Sequence, residues 1–238
     1  MESFLETACR NSLGGGIRQA AEDAQKGDGE LIRFIENFVM EPNRLSAMAG
    51  FTMAECETIH AAARVAEDLH HGQLRKGTDI PYIMHPFGAA ALLLREECTP
   101  DMVVAGLLHD TIEDTDYTIE ELAKDFGPNV AAIVEGCSEP FKDRPWRERK
   151  EHTISYLSAA PRQIRFVSCA DKLHNITAIS RDYEMLGDGL WRRFKAGRED
   201  QSWYYWGLVE SFRHELFVKT RLFRDFECMV NKVFDAQY

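Results

Sequence analysis

The chain has 238 residues, of which 45% are hydrophobic and 28% charged, enough for one well-buried core and ordinary for a globular protein. A formal charge of −11 argues against a general nucleic-acid binder and against docking on an anionic membrane. Six cysteines scattered at 9, 56, 98, 137, 169 and 228, with no CxxC pair, suit free thiols in a reducing cytoplasm better than disulfides or a thiolate metal site. There is no uninterrupted apolar run of membrane-spanning length, and Met1-Glu2-Ser3 does not read as a secretory start.

In chain order, residues 1–50 carry Gly14-Gly15-Gly16 and Lys26-Gly27-Asp28-Gly29 between two short amphipathic pieces, and are expected to form an N-terminal helical extension. Thr52-x-x-Glu55 is a capping box opening a helix with apolar residues at 59, 62, 63, 66 and 69; His70 and His71 belong to its C-terminal end. Pro86 marks a helix start before Ala/Leu-rich sequence. Thr99-Pro100-Asp101 reads as N-cap, N1 and acidic first turn of a helix running into His109-Asp110. Thr118-x-x-Glu121 is a second capping box, and Gly127-Pro128 ends one helix and starts another. Pro161 precedes a long segment with Ile164, Val167, Ala170 and His174 along one stripe. The aromatic-rich sequence from about 186 onward is expected to cover the core. Period-2 alternation is absent, so the expected fold is all-α: a single helical bundle over 51–238 behind the extension at 1–50.

The stretch GLLHDTIEDTDYT (106–118) drives an apolar helix into four titratable groups, His109, Asp110, Glu113 and Asp114. On a helix, Glu113 lies four residues from His109 and Asp114 four from Asp110, so the pairs stack along one edge. From this stretch alone, a metal site and a solvated acidic helix end stay open. Two further segments favour the site. Pro81-Tyr82-Ile83-Met84-His85-Pro86 brings a histidine to a helix start, and SCADKLHN (168–175) puts Asp171 inside an apolar helix, where an unpaired carboxylate is costly. Two His and two Asp form an N/O donor set suited to Mn²⁺, Fe²⁺ or Zn²⁺.

In the order His85, His109-Asp110, Asp171, the chain resembles the HD superfamily of metal-dependent phosphohydrolases. More narrowly, HGQLRKGTDIPYIMHP, GLLHDTIEDT and ADKLHN resemble the hydrolase domain of RelA/SpoT-type proteins and the stand-alone small alarmone hydrolases, over roughly residues 56–180. The resemblance implies an HD-domain fold and Mn²⁺ held by His85, His109, Asp110 and Asp171. It implies that Glu113 and Asp114 activate a water against the 3′ phosphorus of a guanosine tetra- or pentaphosphate, releasing pyrophosphate. Arg75 and Lys76 would lie against base and phosphates, and Asn175 near the ribose.

General chemistry is compatible with these roles: a divalent cation acidifies water and a neighbouring carboxylate takes its proton. Glu113 is the preferred base, with Asp114 orienting the water. Arg75 can stack its guanidinium on a purine, whereas Lys76 acts as a point charge. His174 is expected to pack or to hydrogen-bond behind a ligand. Two basic clusters, Arg144/Arg147/Arg149/Lys150 and Arg192/Arg193/Lys195/Arg198, are interleaved with Glu and Asp. They read as charge-laced surface helices, with distal-phosphate contacts the alternative, best placed at Arg147 and Arg149.

The sequence departs from the long bifunctional enzymes in two places. Its RKGTDIPYI loop is one residue longer, and Ile176-Thr177-Ala178 follow ADKLHN where those enzymes carry an Arg and a Thr. An adenine alarmone or NADPH therefore stays open as substrate, as does a nucleotide-binding regulatory or antitoxin-like module without turnover. Too little chain follows Asn175 for a second nucleotide-transfer domain, so alarmone synthesis is not expected.

Overall fold

A computed structural model describes residues 42–235. The two amphipathic pieces expected before residue 42 lie outside them. Among the described residues there is no strand; the single isolated bridge joins Leu74 to Pro81. The helices are α1 (Pro42–Ala49), α2 (Met53–Leu69), α3 (Met84–Leu94), α4 (Pro100–Leu108), α5 (Thr111–Asp114), α6 (Ile119–Phe126), α7 (Pro128–Cys137), α8 (Trp146–Ala159), α9 (Arg162–Leu186), α10 (Arg198–Phe212) and α11 (Arg221–Phe234), with 3₁₀ turns at Gly187–Arg193 and Phe217–Lys219.

Local signals set most boundaries. Both capping boxes form: Thr52 and Thr118 each accept from the backbone amide three residues on, and Glu55 and Glu121 each return a bond to the cap amide. Pro100 sits at N1 of α4 behind Thr99, though the Thr99 side chain makes no cap bond. α3 starts two residues before Pro86, which occupies its first turn, where a missing N–H costs nothing. His70 is the C-cap of α2.

Two helices are buried almost all round. Every α4 residue from Met102 to Leu108 is buried, as are eight residues of α3. Such helices belong inside a core. They pack on each other and on α9, the 25-residue helix that also carries α11, while α2 covers α4. Gly106 permits the α3–α4 approach, because a Cβ there would meet Leu93 Cδ1 at 2.6 Å. The C-terminal aromatics do cover the core: Trp191, Tyr204, Tyr205, Phe212, Phe217, Phe223 and Phe226 are buried. α8 lies on α10, joined by the edge contacts of Trp146 with Trp203 and Tyr204. No described helix is long and apolar enough to cross a membrane.

Candidate metal centre and active site

Three helix segments of the buried layer converge on one point. α3 delivers His85 from its first turn, the α4–α5 junction delivers His109 and Asp110, and mid-α9 delivers Asp171; His85, His109 and Asp171 are 1%, 3% and 6% exposed. The expected continuous helix through 109–110 is broken. α4 ends at Leu108, Asp110 relaxes to φ −94°, ψ −8°, and the buried Thr111 hydroxyl donates to the Leu108 carbonyl at 2.6 Å. This departure from helical geometry brings adjacent side chains to one place instead of about 100° apart, with His109 Nε2 3.2 Å from Asp110 Oδ2.

The polar atoms at that point are nearly all acceptors. His109 Nε2 lies 3.2 Å from His85 Nε2, and both face Asp110 Oδ2 and Asp171 Oδ1, the four separations from nitrogen to oxygen running 3.2–3.8 Å. His109 Nδ1 lies 2.9 Å from the Gly106 carbonyl, which can only accept, so the ring proton belongs there and Nε2 is bare in the neutral ring. His85 Nδ1 shares a proton with His174 Nδ1 at 2.9 Å, the contact behind the ligand that the sequence suggested for His174. Converging lone pairs and carboxylates repel unless a cation or protons sit among them. One atom each from His85, His109 and Asp171 all lie within 4.8 Å of one another, so the donors fit a divalent cation; Asp110 flanks this trio, beside both imidazoles.

Electrostatics tell the same story. Burial lowers the pKa of His85 and His174. Burial opposes protonation of His109 as well, but Asp110 and Asp171 overcome it and raise its pKa to about 9. Burial works against ionised Asp110 and Asp171 too. His109 beside Asp110, and Lys172 and the imidazoles beside Asp171, nevertheless hold both carboxyls below their usual range. A proton on His109 therefore does part of what a cation would do there.

Each carboxylate of the cluster has its own support. Asp171 Oδ1 accepts from Asn175 Nδ2 at 2.6 Å and Oδ2 from Lys172 Nζ at 2.6 Å. Asn175 Oδ1 in turn accepts from Arg75 at 2.7 Å, tying the 70–82 loop to the centre. Asp110 Oδ2 accepts from the Tyr82 hydroxyl at 2.6 Å; that hydroxyl also lies 3.2 Å from Asp114 Oδ2. Tyr82 packs against His70 at 4.9 Å between rings, and the Arg75 guanidinium lies 5.8 Å over its ring.

Glu113 sits at the rim, 24% exposed, its Oε1 accepting from the Glu139 amide at 2.9 Å. Burial raises its pKa against that bond. The structure thus brings together His85, His109, Asp110, Asp171, Asp114, Asn175 and Arg75, with Glu113 one turn beyond Asp110. Lys76 is exposed at the loop tip. Arg147 instead lies over Trp203 at 3.2 Å and pairs with Glu151 and Asp200, and Arg149 binds Glu139. In the second basic cluster, Arg193 pairs with Asp182 and Arg198 donates to the last carbonyls of α11. Sequence reading gave no role to Tyr82, Lys172 or Glu139. Tyr82 and Lys172 adjoin predicted ligands, which was a usable signal; Glu139 had none.

The described residues form an all-α domain whose central helices meet at a two-histidine, two-aspartate cluster able to hold a metal ion. The chain belongs to the HD domain family, which matches residues 62–201. Among curated relatives, a zebrafish (Danio rerio) protein named guanosine-3′,5′-bis(diphosphate) 3′-pyrophosphohydrolase MESH1 is 40% identical over 128 residues, covering 52% of this chain and 68% of that one. A Streptomyces coelicolor protein named GTP pyrophosphokinase is 38% identical over 122 residues, half of this chain but 14% of that relative. A crystal structure from Listeria monocytogenes superposes with a TM-score of 0.60 at 32% identity, over 63% of this chain and 99% of that one.

Proposed function

We propose that the chain is a metal-dependent hydrolase that removes the 3′-pyrophosphate from (p)ppGpp-type alarmones. The observation that carries this reading is the convergence of four acceptors from His85, His109, Asp110 and Asp171, with a raised-pKa carboxylate, Glu113, at the rim. His85, His109, Asp110 and Asp171 are the proposed holders of the ion, Mn²⁺ first, with Fe²⁺ or Zn²⁺ as alternatives from the same donor chemistry. When bound, such a cation lowers the pKa of water and offsets phosphate charge.

The protein groups do the rest. Glu113 accepts the proton of the attacking water, for which a carboxylate held above its usual pKa is suited. Asp114, beside the Tyr82 hydroxyl, orients that water. A new P–O bond forms at the phosphorus attached to O3′, the O3′–P bond breaks, O3′ is protonated, and pyrophosphate leaves. Arg75, held by Asn175, offers its guanidinium plane to the purine, and Lys76 offers charge to phosphate. Arg147 and Arg149 are assigned to protein contacts rather than to substrate. The reducing cytoplasm is the proposed compartment, in keeping with the free cysteines among the described residues.

The deciding experiment incubates purified protein and Mn²⁺ with ppGpp, ppApp or NADPH. Pyrophosphate from ppGpp is the expected product. Pyrophosphate from ppApp alone would move the base preference to adenine, orthophosphate from NADPH alone would move the reaction to a phosphatase, and tight binding without product would make the chain a nucleotide sensor.

A further inference from the structure

The loop that follows α7 makes two bonds to the residue proposed as base. The Glu139 amide donates to Glu113 Oε1 at 2.9 Å, and Lys142 Nζ donates to the Glu113 carbonyl at 2.6 Å, with Glu113 Oε2 3.9 Å away. Backbone and side chain of Glu113 are thus both tied to the first half of the loop, Ser138 to Lys142. That loop is itself anchored at one carboxylate: the Glu139 side chain, 15% exposed, binds Arg149 through one oxygen and Lys150 through the other. Arg149 and Lys150 stand near the start of α8, and α8 is fixed by α10, where Lys150 Nζ lies 5.1 Å over the Tyr204 ring and Trp146 meets Trp203 and Tyr204 edge-on.

We infer that Glu139 is a positioning residue for the base: its side chain, gripped by Arg149 and Lys150, sets where its own amide holds Glu113. The catalytic consequence rests on the hydrolase reading, while the geometric claim does not. The PWRERKE segment then acts through Glu139 rather than on phosphate. A two-cation grip is demanding on position because all three side chains are largely buried, where charge-assisted bonds are strong. Burial alone would raise the Glu139 pKa, but the Lys150 bond and the charges of Lys150 and Arg149 bring it below its usual value, so the grip acts on a carboxylate. Each cation gives one donor to that carboxylate, so Arg149 and Lys150 are both held at Glu139 in this structure.

The test reads the Glu139 amide directly and needs no turnover. In ¹⁵N-labelled protein the Glu139 amide signal is expected to move with pH as Glu113 titrates, and this movement is expected to vanish in Glu113→Gln. In Arg149→Met/Lys150→Met the signal is expected to leave its wild-type position, with bound metal unchanged by elemental analysis; in Arg149→Lys, which keeps the charge, it stays close. The same double substitution is expected to lower kcat by about 10–100-fold, the scale of a base misplaced by a fraction of its reach, with KM within about 3-fold. In a Glu113→Gln background it should lower kcat no further, since groups acting as one unit are not additive. A Glu139 amide signal unmoved by the double substitution overturns the positioning role, as does a full additive loss on top of Glu113→Gln. A coupled amide in a wild-type protein that releases no product from any nucleotide overturns the hydrolase reading and leaves the positioning role supported.

Discussion

Asp110 and Asp171 on the one hand, and Glu113 on the other, are carboxylates of one cluster held in opposite ways. Asp110 and Asp171 face imidazole nitrogens and accept from Tyr82, Asn175 and Lys172; their charged forms are stabilised and their pKa values fall despite burial. Glu113, one helical turn outward, has a single amide and a distant lysine; burial dominates and its pKa rises. The same chemical group is kept ionised in one place and ready for a proton in the other. The difference arises from who the neighbours are, not from depth, since the inner pair is the more buried of the two. Ligands need the first condition and a base needs the second.

The largest expected effect comes from removing a member of the inner set. His85→Ala, His109→Ala, Asp110→Ala and Asp171→Ala should each lose metal and activity together. Stoichiometric metal in His85→Ala by elemental analysis would break the comparison at its inner half. Next in size is the outer carboxylate, Glu113. Glu113→Gln should retain metal while activity falls roughly 10²–10⁴-fold, the share of a positioned base. Near-wild-type turnover in that variant would make Glu113 one more solvated acid. On the proposal that Glu113 is the base, it works deprotonated, and since burial raises its pKa, kcat/KM of the wild type should fall on acidification above the range of an ordinary glutamate.

The inner set also makes a pH prediction for chelator-treated protein. His109 shifts from about 6.5 unfolded to about 9 folded, so its contribution is fully present below pH 6.5 and is lost as pH rises through 9. Denaturant melts of the metal-free chain should therefore lose on the order of 2–3 kcal/mol between those pH values. The metal-loaded chain should stay flat over the same range, and parallel curves would mean that proton and cation do not compete for one place. Smaller again is Arg75→Ala, expected to raise KM about 10-fold with kcat within about 3-fold, as for contacts alike in ground and transition states. An unchanged KM for every nucleotide would return Arg75 to a role in holding Asn175. Smallest is Arg147→Ala, which loses a stacked guanidinium and two exposed ion pairs and should cost about 1 kcal/mol or less in thermal melts with turnover intact.

Much of the frame is legible in the sequence alone. The capping boxes at Thr52 and Thr118, Pro100 at N1 and the apolar density of α3 and α4 are local signals, and each fixes its own helix. Asp171 was conspicuous because a carboxylate in an apolar helix demands a partner. The break at His109-Asp110 was not readable, since its residues suit an unbroken helix and the turn depends on a buried threonine bond. The protein contacts of Arg147 and Arg149 are not readable either. α8 buries only Leu157 fully, so its pattern does not say which of two arginines, two positions apart, looks inward. Glu139 was invisible for a related reason: its function rests on bonds to residues ten and eleven positions away and to one 26 positions back, which no periodicity encodes.

Gly88 lies one turn beyond His85 on α3, and a Cβ there would fall 2.1 Å from Cδ2 of His174 and 2.3 Å from its Nε2. The imidazole that touches His85 therefore occupies, in space, the volume that belongs to the side chain of residue 88. Positions 88 and 174 are in effect one position shared between two helices. A methyl at 88 evicts the ring and unmoors His85, while a smaller residue at 174 leaves a hole that a larger residue at 88 could fill. Change at either site is tolerable only when it arrives with a matching change at the other. Drift where α3 meets α9 must then proceed in pairs.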